Sequence, residues 1–241
     1  MQENTALSWN TYAQSYDMLF TYNPFYQQLH QEVMQEVGQW KVAPGSLLAD
    51  IGAGTGNYSL AMARLFPQAT VLHFDRDEGM NGQAAKKKNR EALFNHQIIT
   101  CGIDDVRLER ASLRGLISVH ALYTFPDPTS VLRNMYEWLQ PGGDAVLVNA
   151  GRMVNVLDWQ IAIGYRLISK YGFRKTLSIL QQGKEVSRQN AYVREMQRKG
   201  VFWTHNHREF NEAVESAGFK IIDSRTCFRG ISDFVVARKE A

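Results

Sequence analysis

The chain has 241 residues, 44% hydrophobic and 21% charged, with a formal net charge of +3. That is room for one substantial domain with an ordinary core, and the charge is too mild to argue for nucleic acid by itself. No apolar run approaches the ~20 residues that span a bilayer, residues 1–20 are polar and mixed rather than signal-like, and Cys101 and Cys227 lie far apart beside strand-like segments, as reduced thiols would; a cytoplasmic location is expected.

From the N-terminus, Trp9, Tyr12, Ala13, Tyr16, Leu19 and Phe20 recur near helical spacing, with Ser8 as a possible cap. Asn23-Pro24 breaks that helix, and Pro24 can open a second one running to about Gly38. Residues 47–57, Leu-Leu-Ala-Asp-Ile-Gly-Ala-Gly-Thr-Gly-Asn, then run from an apolar strand through three alternate glycines into a helix. Glycines there permit unusual φ/ψ and close approach of a ligand to the backbone, and the helix start supplies free N–H groups. The spacing is G-x-G-x-G rather than the dinucleotide G-x-G-x-x-G. Asp50 would repel a pyrophosphate and attract an ammonium group, so a zwitterionic amino-acid ligand is favoured.

Ala69 to Asp75 reads as strand two, and Asp75, 19 residues after Gly56, stands where an acid can accept both ribose hydroxyls. Asp77 suits the cap of the next helix, whose run Lys86-Lys87-Lys88-Asn89-Arg90 reads as a solvated face. His96 to Cys101 is strand three, followed by Ile103 and Asp104; Asp104 or Asp105 could instead cap a short helix. Gly115 to Leu122 is strand four, leading into the rigid loop His120-Ala-Leu-Tyr-Thr-Phe-Pro-Asp-Pro128. An amphipathic helix covers Thr129 to Leu139, Leu139-Gln-Pro-Gly-Gly143 ends it, and Asp144 to Asn149 is strand five. Residues 151–204 carry three helical patterns, beginning at Val156, Phe173 and Glu185. A last helix starts near Thr204, capped by Thr204 or Asn206, and strands six (218–225) and seven (231–238) close the chain. His205 and His207 lack partners at ligand spacing, so no metal is expected.

Residues 50–56 resemble motif I of the class I S-adenosylmethionine-dependent methyltransferases (D/E-x-G-x-G-x-G). Phe74 to Met80, the P-D-P loop and the L-x-P-G-G turn are similar to later motifs of that family. Trp9, Ala13, Tyr16 and Asp17 resemble the entry helix of its small-molecule members, including those of quinone biosynthesis. The resemblance implies an α/β, Rossmann-like fold: a seven-stranded, mostly parallel sheet with a C-terminal antiparallel strand and helices on both faces. It implies one domain over 1–241, with an N-terminal helical cap (1–40) and a helical lid (151–204). The implied cofactor is S-adenosylmethionine, held by Asp50, Gly52, Ala53, Gly54, Gly56, Asp75, Arg76, Met80, Ile103, Asp104 and His120. Tyr12, Tyr16, Tyr123, Trp159 and Tyr192 are the expected substrate contacts, although core packing is the competing reading for each aromatic. His120, Tyr16 and Tyr123 are the catalytic candidates. Whether a general base acts or orientation suffices stays open. The expected partner is a small-molecule substrate, with no nucleic acid and no membrane span, in a monomer or homodimer; RNA or protein methylation, or cofactor binding without catalysis, are the alternatives.

Overall fold

The computed structural model describes residues 9–182 and 184–240; the side chains of residues 9–12, 14–15, 19, 157, 182 and 184–186 lie outside the described set. Seven strands form one sheet in the order β3-β2-β1-β4-β5-β7-β6. They are β1 (Leu47–Ile51), β2 (Thr70–Asp75), β3 (His96–Thr100), β4 (Leu113–Val119), β5 (Leu139–Ala150), β6 (Lys220–Cys227) and β7 (Ser232–Arg238). Neighbours are parallel except at β7, which runs antiparallel to both β5 and β6. The Rossmann-like architecture expected from the sequence is therefore present.

The alternation of side chains along each strand divides the core between the two faces. Ala49, Ile51, Leu72, Phe74, Leu116 and Leu147 pack on one face, beneath α5 (Pro128–Trp138) and α8 (His207–Ser216). Leu48, Val71, Ile117, Val146, Val148 and Phe234 pack on the other, beneath α2 (Pro24–Val37) and α3 (Asn57–Leu65). Asn23 caps α2 through Phe25 N–H, and Asn206 closes a capping box with Glu209 on α8.

Several boundaries differ from the sequence reading. β4 stops at Val119 because His120 turns into the left-handed region (φ 54°), and Leu122–Thr124 form a single 3₁₀ turn instead of continuing the strand. The short helix Ile103–Asp105 contains both aspartates and starts from Gly102, so neither caps it. β5 begins at Leu139, but its register against β4 jumps from Leu139 to Asp144, so the Pro-Gly-Gly turn bulges from the strand. Of the three helical patterns after β5, the first two join as α6 (Val156–Gln182), broken at Gly172 (φ 74°, ψ 169°), and the third is α7 (Lys184–Arg198). Arg114 ties Lys41 and Gly142 carbonyls and pairs with Asp144 at 2.9 Å.

Candidate active site

The site grows from the turn after β1. Gly52, Gly54 and Gly56 all have positive φ (75°, 56° and 79°), which side chains rarely adopt. Gly52 and Ala53 N–H groups both donate to the Phe74 carbonyl at 2.9 Å, folding the turn back over β2. A Cβ at Gly52 would lie 2.3 Å from Ala121 Cβ, whereas one at Gly54 would meet nothing within 4 Å. Gly52 is thus demanded by packing, while Gly54 leaves open space above the turn.

Asp75, the last residue of β2, receives Gly54 N–H at Oδ2 (2.7 Å) and Asp77 N–H at Oδ1 (2.9 Å). Its carboxylate is oriented by two backbone donors and still has acceptor capacity facing the space beyond. Asp77 in turn caps α4 (Glu78–Arg90) through Met80 N–H. Below, Asn81 bridges the Asp75 carbonyl, Thr100 and His73, and Ser59 joins His73 to His96. Burial lowers His73 to about 4 and His96 to about 3, so both are neutral props of β2.

Two adjoining cavities open at the carboxyl ends of the strands, where open α/β sheets place ligands. They share Gly52, Asp75 and Phe125. The smaller, about 90 Å³, is lined among others by Arg76, Ile103 and Asp104. The larger, about 190 Å³, is lined among others by Asp50, Ala53, Gly54 and Met80, and by Tyr16, His120 and Tyr123. Of the other expected residues, Gly56 serves as the α3 N-cap rather than as lining. Trp159 packs on Phe25 (5.2 Å) and Phe228 (4.8 Å), and Tyr192 on Phe202 (6.1 Å), so neither reaches a cavity wall. The Tyr12 side chain lies outside the described residues.

Asp50 is the main electrostatic feature. It is 2% exposed, and its Oδ2 has no hydrogen-bond partner. Burial, then the nearby Asp75 charge, push it up to about 8. Tyr58 on α3 also lines the larger cavity, with an unpartnered hydroxyl. Burial lowers His120 to about 4; its Nε2 lies 2.8 Å from Ser232 Oγ, and its ring meets Phe228 (4.8 Å) and Tyr26 (6.1 Å) edge-on. Burial raises the Tyr123 phenol to about 12.

The wall also contains residues that the sequence reading missed. Tyr26 comes from α2, Phe228 from the turn after β6, Arg152 from the segment after β5, and Gln189 and Gln197 from α7. Arg152 makes a two-pronged pair with buried Asp233 (2.8 and 2.9 Å), which also meets His207 at 2.9 Å and His205 at 3.3 Å. Burial would raise Asp233, but bonds from His205, Arg152 and His207 hold it well below the usual carboxylate range. His205 reaches Asn149, whose Oδ1 accepts Tyr123 N–H. α1 (Trp9–Tyr22) is latched over the site by Asp17, which accepts from Thr55, Asn57 and Lys87 at 2.7, 3.1 and 2.7 Å. Among the described residues, no His/Cys/Asp/Glu group is placed to hold a metal, and no helix is long and apolar enough to cross a membrane.

Residues 48–143 match a family model described as a methyltransferase domain. Those residues, from β1 into β5, therefore form a methyltransferase domain. Over 192 residues it is 23% identical to a demethylmenaquinone methyltransferase of Oceanobacillus iheyensis, covering 79% of this chain and 76% of that one. Over 100 residues it is 32% identical to a trans-aconitate 2-methyltransferase of Deinococcus radiodurans; that match spans 42% of this chain and only 36% of the Deinococcus enzyme. It is also 23% identical over 202 residues to a carboxy-S-adenosyl-L-methionine synthase of Staphylococcus epidermidis, covering 83% of this chain and 82% of the synthase. The methyltransferase shares its fold with an S-adenosylmethionine-dependent methyltransferase of Aquifex aeolicus (TM-score 0.62, 13% identity, 95% of this chain and 98% of that one). The same holds for a Haemonchus contortus phosphoethanolamine N-methyltransferase in complex with S-adenosylmethionine (TM-score 0.65, 15% identity, 96% and 57%).

Proposed function

We propose that this methyltransferase transfers the methyl group to an O, N or C atom of a small molecule, bound between the glycine turn, α1 and α7. The observation that carries this reading is the larger cavity. Residues of the glycine turn line it together with Tyr16, Tyr26 and residues of α7. A recess built this way suits a compact acceptor better than the flat, basic mouth that a macromolecule would require.

The residues present fit S-adenosylmethionine. A buried carboxylate oxygen without a partner calls for a cation, and the ligand's ammonium group supplies one at Asp50. The space above Gly54 lets a ligand approach the backbone. Asp75, oriented by two backbone donors, would accept the ribose hydroxyls. In the smaller cavity Ile103 would pack on adenine and Asp104 accept from its amino group, with Arg76 alongside; Met80 borders the ribose end from the larger cavity. When bound, the group supplies a methyl already activated by the sulfonium charge. The protein's task is to hold the acceptor in line and exclude water. His120 is neutral at pH 7 and is the candidate to take a proton from an O or N acceptor, with Tyr16 and Tyr123 as hydrogen-bonding guides. α1, held by the Asp17–Lys87 latch, and α7 would serve as cap and lid, the rest of the chain forming one catalytic domain.

Enzyme given methyl-tritiated S-adenosylmethionine and a fractionated cell extract tests the reading. Label in the small-molecule fraction is expected; label only in RNA or protein would reject it.

A further inference from the structure

One part of the larger cavity's wall has a chemistry of its own. Gln189 on α7 lines it and is 2% exposed, yet neither its Nε2 nor its Oε1 has a hydrogen-bond partner. A buried carboxamide with both ends unsatisfied is costly, because each group has left water for nothing in return. A ligand with an acceptor and a donor side by side would satisfy both at once.

The charge of that ligand follows from its neighbours. Arg152 is the guanidinium on the wall, and Asp233 already neutralises it through two bonds while the Gly230 carbonyl takes Nε at 2.5 Å. An anionic acceptor would therefore be desolvated without a cation of its own. Among the described residues of that wall the carboxylates are Asp50 and Asp75, both claimed by the cofactor, so a cationic acceptor would find no unclaimed one there. The same wall carries an aromatic cluster: Tyr26 and Phe228 rings lie 4.8 Å apart, and His120 meets Phe228 at the same distance. Such a cluster favours a flat ring.

We propose that the acceptor is an uncharged planar compound carrying a hydroxyl beside a carbonyl, and that Gln189 selects it by a two-point hydrogen bond from its carboxamide. This rests on the small-molecule reading above and makes Gln189 a specificity-determining residue rather than a catalytic one.

Three probes share one ring and differ in charge: 2-hydroxybenzamide (neutral), 2-hydroxybenzoate (anionic) and 2-hydroxybenzylamine (cationic). Each is titrated calorimetrically into full-length enzyme saturated with S-adenosylhomocysteine. The neutral probe should bind about tenfold more tightly than either ion. Gln189→Leu should weaken it by about the same factor, leave S-adenosylhomocysteine affinity unchanged, and raise the melting temperature of the ligand-free protein by removing two unsatisfied atoms. A merely structural glutamine would not couple gained stability to lost affinity. Equal or tighter binding of an ionic probe, unaltered affinity in Gln189→Leu, or binding of S-adenosylhomocysteine but of no probe would each overturn the proposal. Failure of the wild type to bind S-adenosylhomocysteine would instead count against the cofactor assignment beneath it.

Discussion

Asp50→Asn should stabilise the ligand-free methyltransferase and cripple its cofactor binding. The wild-type carboxyl is held near 8 against an ordinary value of 3.8. A group raised in this way contributes full stability below pH about 4 and loses it progressively as pH rises through about 8. At pH 7 the span from 3.8 is about three pH units, at about 1.4 kcal/mol each, so the wild type carries a penalty of at most about 4 kcal/mol. Asparagine removes the ionisation but keeps a buried amide to satisfy, so the expected gain is about 1–3 kcal/mol. Ligand binding reads the same charge. In the free enzyme at pH 7 the carboxyl is mainly protonated, and an ammonium partner would drive that proton off. Calorimetric titration of S-adenosylhomocysteine in buffers of different ionisation enthalpy should thus show net proton release in the wild type, and none from this site in Asp50→Asn. Affinity should fall by two orders of magnitude or more in the variant, since a neutral amide replaces a buried ion pair. Equal affinity, or no proton release from the wild type, would refute the argument.

Other outcomes follow from the same geometry. The His73–Ser59–His96 network should lose stability as pH falls from about 6.5 towards 4, because both imidazoles are held neutral; for His73 alone the loss reaches about 3 kcal/mol. Its slope opposes that of Asp50, so melting temperature against pH is best followed in Asp50→Asn, where a flat profile from pH 7 to 4.5 would contradict it. Gly52→Ala should destabilise by about 3 kcal/mol or more in denaturant melts, combining strained φ with the 2.3 Å clash. Gly54→Ala should cost only about 1–2 kcal/mol and still abolish S-adenosylhomocysteine binding; the reverse order would show that the turn has been misread. Asp17→Ala should expose α1 to limited proteolysis and weaken cofactor binding several-fold, because it leaves the half-buried Lys87 ammonium only neutral acceptors on Thr55 and Asn57; an unchanged cleavage pattern would exclude the latch.

The glycine turn and its neighbours were legible in the sequence because their demands are local. The turn needs glycine where φ is positive, and an acid at the end of β2 can orient only one way along its strand. Asp77 capping and the Asn206 capping box are equally short-range. Much of the larger cavity's wall was not legible. Tyr26, Arg152, Gln189 and Phe228 come from four distant segments and meet only through packing of α2 on the sheet and of α7 on α1. Trp159 shows the converse: its aromatic signal was plain, but Phe25 and Phe228 absorb it into a cluster behind the wall. The end of β4 was overrun because a left-handed non-glycine residue, His120, leaves no compositional mark.

The central claim is that the paired cavities around Asp75 hold S-adenosylmethionine. Calorimetric titration of S-adenosylhomocysteine into the wild type and Asp75→Ala tests it most directly. Saturable one-to-one binding is predicted for the wild type, weakened by about a hundredfold or more when the oriented carboxylate is removed. Absence of binding in the wild type, or equal affinity in the two proteins, would contradict it.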